Sequence, residues 1–381
     1  MRPEIEVALG AAIVRLQALD LGDAFEPRAA TAIVETRLDR LCVPVSAGGL
    51  GATAVESAEV LMALGAIDGA TALGFAMQVH VTGAMRDAAA FPEGVRARLY
   101  RAIVEDGALL NNAATEEGGG SPARGAIPGM NATGPDDDGT WLLTGENTWT
   151  TWLPNLSYAF VTARLGAVDP AEIGVFLVDL ASEGVERREG FEAMGMRGSA
   201  SGRLALADAP AELVQRRLVS EPDPRGAAPG AWFGLAVAAT YLGVGEGARA
   251  DVARWAIDRR PGDGSTAVAD IPSVLVRLGR LDAELRAARI VVLAAARRWD
   301  GERDAADVAL AKLMATRAAV TATDEALRIT GGPGFLAGRL ERAFRDARAG
   351  LINPPLEDVA LTAFGRAVVD SQRGLELELE R

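Results

Sequence analysis

Three textures of hydrophobic and polar positions follow one another along the chain. Over residues 1–107, apolar positions recur at helical spacing in "EVALGAAIVRLQAL", "AVESAEVLMALGAI" and "EGVRARLYRAIVED". That period predicts helices with one buried face. Breaks at "PVSAGGLGA" and "FPEG" separate them, since glycine and proline interrupt regular structure. Over residues 108–215 the apolar runs shorten to "ALLNNAAT", "TWLLTG", "YAFVTARL", "IGVFLVDL" and "GRLALADA", divided by turn-rich segments such as "GPDDDG". They predict strands of a small antiparallel sheet or barrel. From residue 228 to 381 the helical period returns in four long segments: Trp232 to Arg259, Pro272 to Trp299, Asp304 to Ile329, and Leu356 to about Leu377. "TGGPGF" stops the third, a Gly-rich C-terminal signal. Short connections between such segments predict a four-helix bundle. The expected fold class is therefore α+β: an N-terminal helical domain (1–107), a central antiparallel β-domain (108–215) and a C-terminal four-helix-bundle domain (228–381).

Composition narrows the function classes. Hydrophobic residues make up 49% and charged residues 24% of 381, the balance of a soluble globular protein. The net charge is -13, and arginines alternate with acids along the helices, so no basic stripe offers itself to a nucleic-acid backbone. The single cysteine, Cys42, excludes an intrachain disulfide framework and suits a reducing cytoplasm. One histidine, His80, leaves little for a zinc site,. The start "MRPEIEVALG" lacks the basic-then-apolar order of a signal peptide,. The charge-free stretch Gly69 to Met85 is short for a membrane span,. A cytoplasmic protein is expected.

Four glycine-containing segments invite scrutiny: "VPVSAGGLG", "AATEEGGGSP", "TGENTWTTW" and "ITGGPGF". None has the strand–GxGxxG–helix context of a dinucleotide fingerprint, and no Gly-Lys-Ser/Thr marks a P-loop. Taken singly, each is ordinary turn punctuation. The third, however, places Trp149 and Thr151 at i and i+2 of a strand arm, where both would share one face. An indole and a hydroxyl there suit a planar ligand such as an isoalloxazine ring. Trp152 is expected in the core.

Six segments in one order resemble the acyl-CoA dehydrogenase superfamily over almost the whole chain: "P…GGLG" (44–51), "ATEEGGGS" (114–121), "LTG…WTT" (143–151), "MGMRGSAS" (194–201), "ITGGPGF" (329–335) and "RAFRDAR" (342–348). The resemblance implies the same three-part fold and FAD held between the β-domain and the bundle. It implies that Thr115 and Ser121 meet the flavin and its phosphates, and Trp149 and Thr151 the isoalloxazine. Gly331, Gly332 and Gly334 would approach the ADP portion of a FAD bound mainly by a neighbouring subunit, and Arg259 the pyrophosphate. It further implies a homotetramer, or a dimer of the same pairwise type, packed through alanine- and leucine-rich bundle faces such as "VVLAAA".

The resemblance fails at the chemistry. Family dehydrogenases use a glutamate eight residues after the aspartate of "RDA", and counting from Asp346 gives Pro354. A second place used by some members falls at about Phe233. Neither side chain has an acid–base group, whereas proton abstraction needs one within hydrogen-bond reach. Glu357 and Asp358 follow Pro354 closely. The plainer reading makes Asn353 a cap, the prolines a helix start and these two acids its first turn,. His80, in an apolar helix, reads as a satisfied core histidine,, and Glu116 could face either way.

Three functions stay open. The first is a FAD-dependent dehydrogenase acting on an acyl thioester or related small molecule. The second is a monooxygenase of the same fold that uses reduced flavin from a reductase and needs no carboxylate base. The third is the base-lacking partner subunit of a heteromeric dehydrogenase.

Overall fold

The computed structural model describes residues 1–88, 90–118, 126–166, 171–262 and 264–379. Five helices come first: α1 (Pro3–Gln17), α2 (Arg28–Glu35), α3 (Ala54–Ile67), α4 (Gly69–Asp87) and α5 (Glu93–Asp106). Then come seven strands: β1 (Leu110–Ala113), β2 (Asn131–Thr133), β3 (Trp141–Thr150), β4 (Tyr158–Leu165), β5 (Glu172–Asp179), β6 (Val185–Arg188) and β7 (Gly202–Leu218). The rest is helical: α6 (Ala228–Asp258), α7 (Pro272–Glu302), α8 (Val308–Thr330), α9 (Gly332–Phe335), α10 (Arg339–Ile352) and α11 (Glu357–Leu379). This is the α+β architecture expected.

The strands close on themselves. β2 pairs with β3, β3 with β7, β7 with β5, β5 with β4, and β4 with β2 again. Closure removes the exposed edges that an open sheet this small would present. Most pairings are antiparallel, but β1 and β2 run parallel to β4 along one of its edges. β7 extends three residues beyond the expected end of the β-domain, to Leu218. Within it Asp208 takes a left-handed conformation (φ 53), where the register with β3 shifts. Its first half then pairs with β3 and β6 and its second with β5.

α6 is the central helix, packed against α3, α4, α7, α8 and α10. Residues 226–245 carry no charge, so α6 would suit a bilayer by composition, yet 83% of its apolar window is buried inside the fold. Glycines allow its backbone to be approached closely. A Cβ on Gly243 would lie 2.3 Å from the Met62 carbonyl oxygen of α3, and one on Gly245 2.9 Å from Ala319 Cα of α8.

The bundle differs from expectation in its fourth member. α10, unnoticed in the sequence pattern, packs on both α6 and α8, whereas α11 lies against α8 with most of its described residues exposed. The apolar faces also differ. In "VVLAAA" Val292, Ala295 and Ala296 are buried within this chain, while Phe335, Leu336, Ile352 and Val368 are exposed.

Polar joins tie the layers together. Gln78 of α4 accepts from Leu110 N at 2.7 Å and donates to the Asp39 carbonyl at 3.2 Å, linking helix to barrel. Asp87, at the end of α4, accepts indole N–H bonds from Trp232 (2.9 Å) and Trp299 (3.0 Å). Asp346 of α10 accepts from Met196 N, joining the bundle to the segment before β7.

The packing yields a paired test. Gly243→Ala should lose about 1–3 kcal/mol by overpacking, whereas Gly279→Ala should gain about 0.5–1 kcal/mol, because nothing lies within 4 Å of its Cβ position. Urea-unfolding midpoints that move together would contradict this assignment of α6.

Candidate functional site

The outer end of β3 gathers three of the residues singled out by the sequence. Thr148 N donates to Thr115 O at 2.7 Å, so exposed Thr115 lies beside the end of β3. Trp149 is 46% exposed, an unusual amount for a large aromatic away from an interface. Trp149 and Thr151 do not share a strand face as expected. The pairing of β3 with β7 shifts between Asn147 and Thr150, and Trp149 is left-handed (φ 57). A bulge of this kind re-aims side chains. Trp149 therefore turns outward, while buried Thr151 lies 3.0 Å, Oγ1 to Oγ, from Ser201. Trp152 is buried as expected, with its indole where a Cβ on Gly74 would stand. Ser121 lies outside the described residues.

Phe191 backs Trp149, stacked at 4.1 Å and 18°. Behind it stands the Arg203 guanidinium, 4.8 Å over the Phe191 ring, held by Glu117 and Glu146. Indole, phenyl and guanidinium thus form one stack that fixes one face of Trp149. Sequence reading missed Phe191 and Arg203, whose distance along the chain from Trp149 hid them. Glu116 is structural: its carboxylate accepts from Met130 N at 2.8 Å and from Gly129 N.

The glycine corner lies elsewhere on the chain. Gly331 has φ 62 and ψ -140, a region open to glycine alone,. It and Gly332 are exposed with open space at their Cβ positions. Gly334 is a packing glycine, for its Cβ would meet Thr330 Oγ1 at 1.9 Å. Arg259, just after α6, is exposed.

Pro354 is exposed in the turn between α10 and α11. Glu357 and Asp358 occupy the first turn of α11 as expected. Asn353 does not cap that helix, because its amide donates to Tyr241 Oη at 2.8 Å, and the prolines precede the helix instead of starting it. Glu357 pairs with Arg317, which holds its carboxyl below the usual range. Asp346, the anchor of the count, is buried, and burial pushes its carboxyl up to about 6.

Two buried titratable groups lie near these positions. His80 meets Phe233 edge-on, ring centres 5.3 Å apart. It is buried as expected, and its Nδ1 makes no hydrogen bond of good geometry, the Met77 carbonyl of its own helix being the acceptor that acts on it. Lys312 of α8 escaped sequence reading because it sits among apolar residues at helical spacing. It is 2% exposed, and burial pushes its ammonium down to about 8. Glu357 is the acid that acts on it, already engaged by Arg317. One turn before Lys312, Val308 stands against Gly234; one turn after, Thr316 stands against Gly350, which also faces the Tyr241 ring.

Comparison with known proteins agrees with this frame. Residues 111–209 match the family described as acyl-CoA dehydrogenase, middle domain, and residues 232–353, ending one short of Pro354, the acyl-CoA dehydrogenase C-terminal domain. The putative acyl-CoA dehydrogenase YdbM of Bacillus subtilis is 33% identical over 337 residues, covering 87% of this chain and 86% of the relative. Butyryl-CoA dehydrogenase from Megasphaera elsdenii superposes with a TM-score of 0.83 at 19% identity, over 97% of this chain and 99% of that one. TdsC from Paenibacillus sp. A11-2, in complex with FMN and indole, gives 0.83 at 20%, over 97% and 98%.

Lys312 carries a prediction with a definite sign. Its folded pKa of about 8 lies below the unfolded value near about 10.4. Between the two the unfolded chain binds more protons, so stability rises with pH across that window. Relative to Lys312→Met, the unmodified protein should gain up to ~3 kcal/mol from pH 8 to 10.4, read by chemical denaturation. A constant difference across that range would contradict an uncompensated buried ammonium.

Proposed function

Since the chain belongs to the acyl-CoA dehydrogenase family, we propose that it is a FAD-dependent oxidoreductase of the cytoplasm. Its substrate is an acyl thioester or a related molecule, and its reaction is α,β-dehydrogenation slowed by the loss of the usual glutamate. The observation that carries the reading is the outward-turned Trp149 beside exposed Thr115, in a chain 33% identical to a putative acyl-CoA dehydrogenase over most of its length.

The residues present fit a planar heteroaromatic group. One face of Trp149 is backed by Phe191, leaving the other to a ligand. Asn147 Oδ1 and Thr150 Oγ1 are buried beside it without partners. Thr115 and Trp149 would hold the isoalloxazine side, with Thr151 behind them against Ser201, Ser121 and Arg259 the phosphates, and the Gly331–Gly334 corner the ADP portion. When bound, flavin supplies a two-electron acceptor. This chain's own contribution is to orient that ring and to wall the substrate with apolar groups such as Phe233.

Gly331 and Gly332 face solvent, so a cofactor they touch would be shared with a second copy. We assign the homotetramer, or a dimer of the same pairwise type, to the apolar surface around Phe335, Leu336, Ile352 and Val368. Those side chains are 79%, 70%, 66% and 65% exposed in the single chain. Light scattering should find dimers or tetramers at micromolar concentration, and a monomer still holding flavin would contradict the shared site.

A second reading has one observation in its favour: Pro354 and Phe233 both lack a carboxylate. A monooxygenase taking reduced flavin from a reductase needs none, and TdsC, a dibenzothiophene monooxygenase, shares the fold. Pro354→Glu separates the readings. A missing general base costs roughly 10²–10⁴-fold, so the variant should gain thioester-driven flavin reduction of that order. No gain with flavin still bound would favour the monooxygenase, or a partner subunit that relies on another chain's glutamate.

A further inference from the structure

His80 is the chain's one histidine, and its surroundings do not explain it as core. It is 5% exposed, on the face of α4 turned toward α6, with the Phe233 ring at 84° to its own. Nδ1 makes no hydrogen bond of good geometry, and the one acceptor acting on it is the Met77 carbonyl of its own helix. A leucine or phenylalanine would pack there without leaving a buried polar atom unsatisfied, which is destabilising. A second such atom is Gln215 Oε1 of β7. Gln215 Nε2 reaches Asp223 at 3.2 Å, and Asp223 binds Arg225, whose charge is felt at His80.

We propose that His80 is the polar recognition group of the substrate pocket, its Nδ1 hydrogen-bonding an uncharged polar atom of an otherwise apolar substrate that lies against Phe233. The proposal rests on the reading above only in placing that pocket between α4, α6 and the barrel. Burial, with Arg225 adding to it, holds the imidazole neutral by pushing its pKa down to about 4. So weak a base is poorly matched to proton abstraction at neutral pH, but a neutral imidazole still offers a donor or an acceptor. Two probes present the required chemistry from different sources. Butyryl-CoA carries a thioester carbonyl on an apolar chain, and indole a single N–H on an apolar ring.

The lone imidazole can be read by ¹⁵N-edited NMR without assignment, in the full-length oligomer. Addition of at least one probe should shift its Nδ1 resonance. His80→Phe should bind that probe about tenfold more weakly, the loss expected for one hydrogen bond, with a Tm unchanged or higher. His80→Gln should recover part of the affinity. A resonance unmoved by probes that perturb the flavin spectrum would overturn the proposal. So would a Tm several degrees lower in His80→Phe with affinity unchanged, which would make the ring a packing residue. If neither probe binds, the substrate reading above fails, and melting alone then decides for His80. An equal or higher Tm supports a ligand-facing imidazole, and a fall overturns it.

Discussion

Everything in this fold depends on how closely α6 can be approached. Its glycines let α3 and α8 reach backbone distances that any larger side chain would forbid. Burial on all sides explains why α6 reads as uniformly apolar and not as a one-faced helix. The same closeness fixes the chemistry-bearing neighbours. Phe233, one position before Gly234, meets His80 on α4, and Tyr241, two before Gly243, receives Asn353 from the turn that carries Pro354. A shift of α6 would move both Phe233 and the turn that carries Pro354.

The barrel is set against this spine by a few directional bonds, not by shape alone. Gln78 reads the backbone of β1, Asp346 the backbone at Met196, and Asp87 gathers two indoles and the Arg303 guanidinium at 3.2 Å. Buried charges are tolerable only when so engaged. Lys312 stands out because the acid that acts on it, Glu357, is already engaged by Arg317, and His80 because burial keeps it neutral.

Much of the architecture was legible because it follows from period. α3 and α5 begin and end where the apolar spacing does, and the barrel strands appear as short runs between turns. What escaped depends on partners distant in sequence. β7 changes partner along its length, and a left-handed residue, Asp208, marks its register shift. α10 was hidden because its apolar positions are interleaved with arginines, while the more evenly apolar α11 drew attention in its place. At the site, Thr115 and Trp149 were found together as the motifs suggested. The alternation that was to align Trp149 with Thr151 breaks at a bulge, and no spacing rule foretells a bulge from one sequence. Phe191, Arg203 and Lys312 gave no local signal, since stacking and unpaired burial exist only once the chain is folded.

The central claim is that a flavin site persists where the family's base has been lost. The direct measurement is the anaerobic visible spectrum of the purified oligomer during titration with butyryl-CoA. The account predicts an oxidised flavin band, released as FAD on denaturation, that bleaches very slowly or not at all. Rapid, complete bleaching that Glu357→Gln abolishes would contradict it, for the base would then be present at the start of α11 and Pro354 would mark nothing.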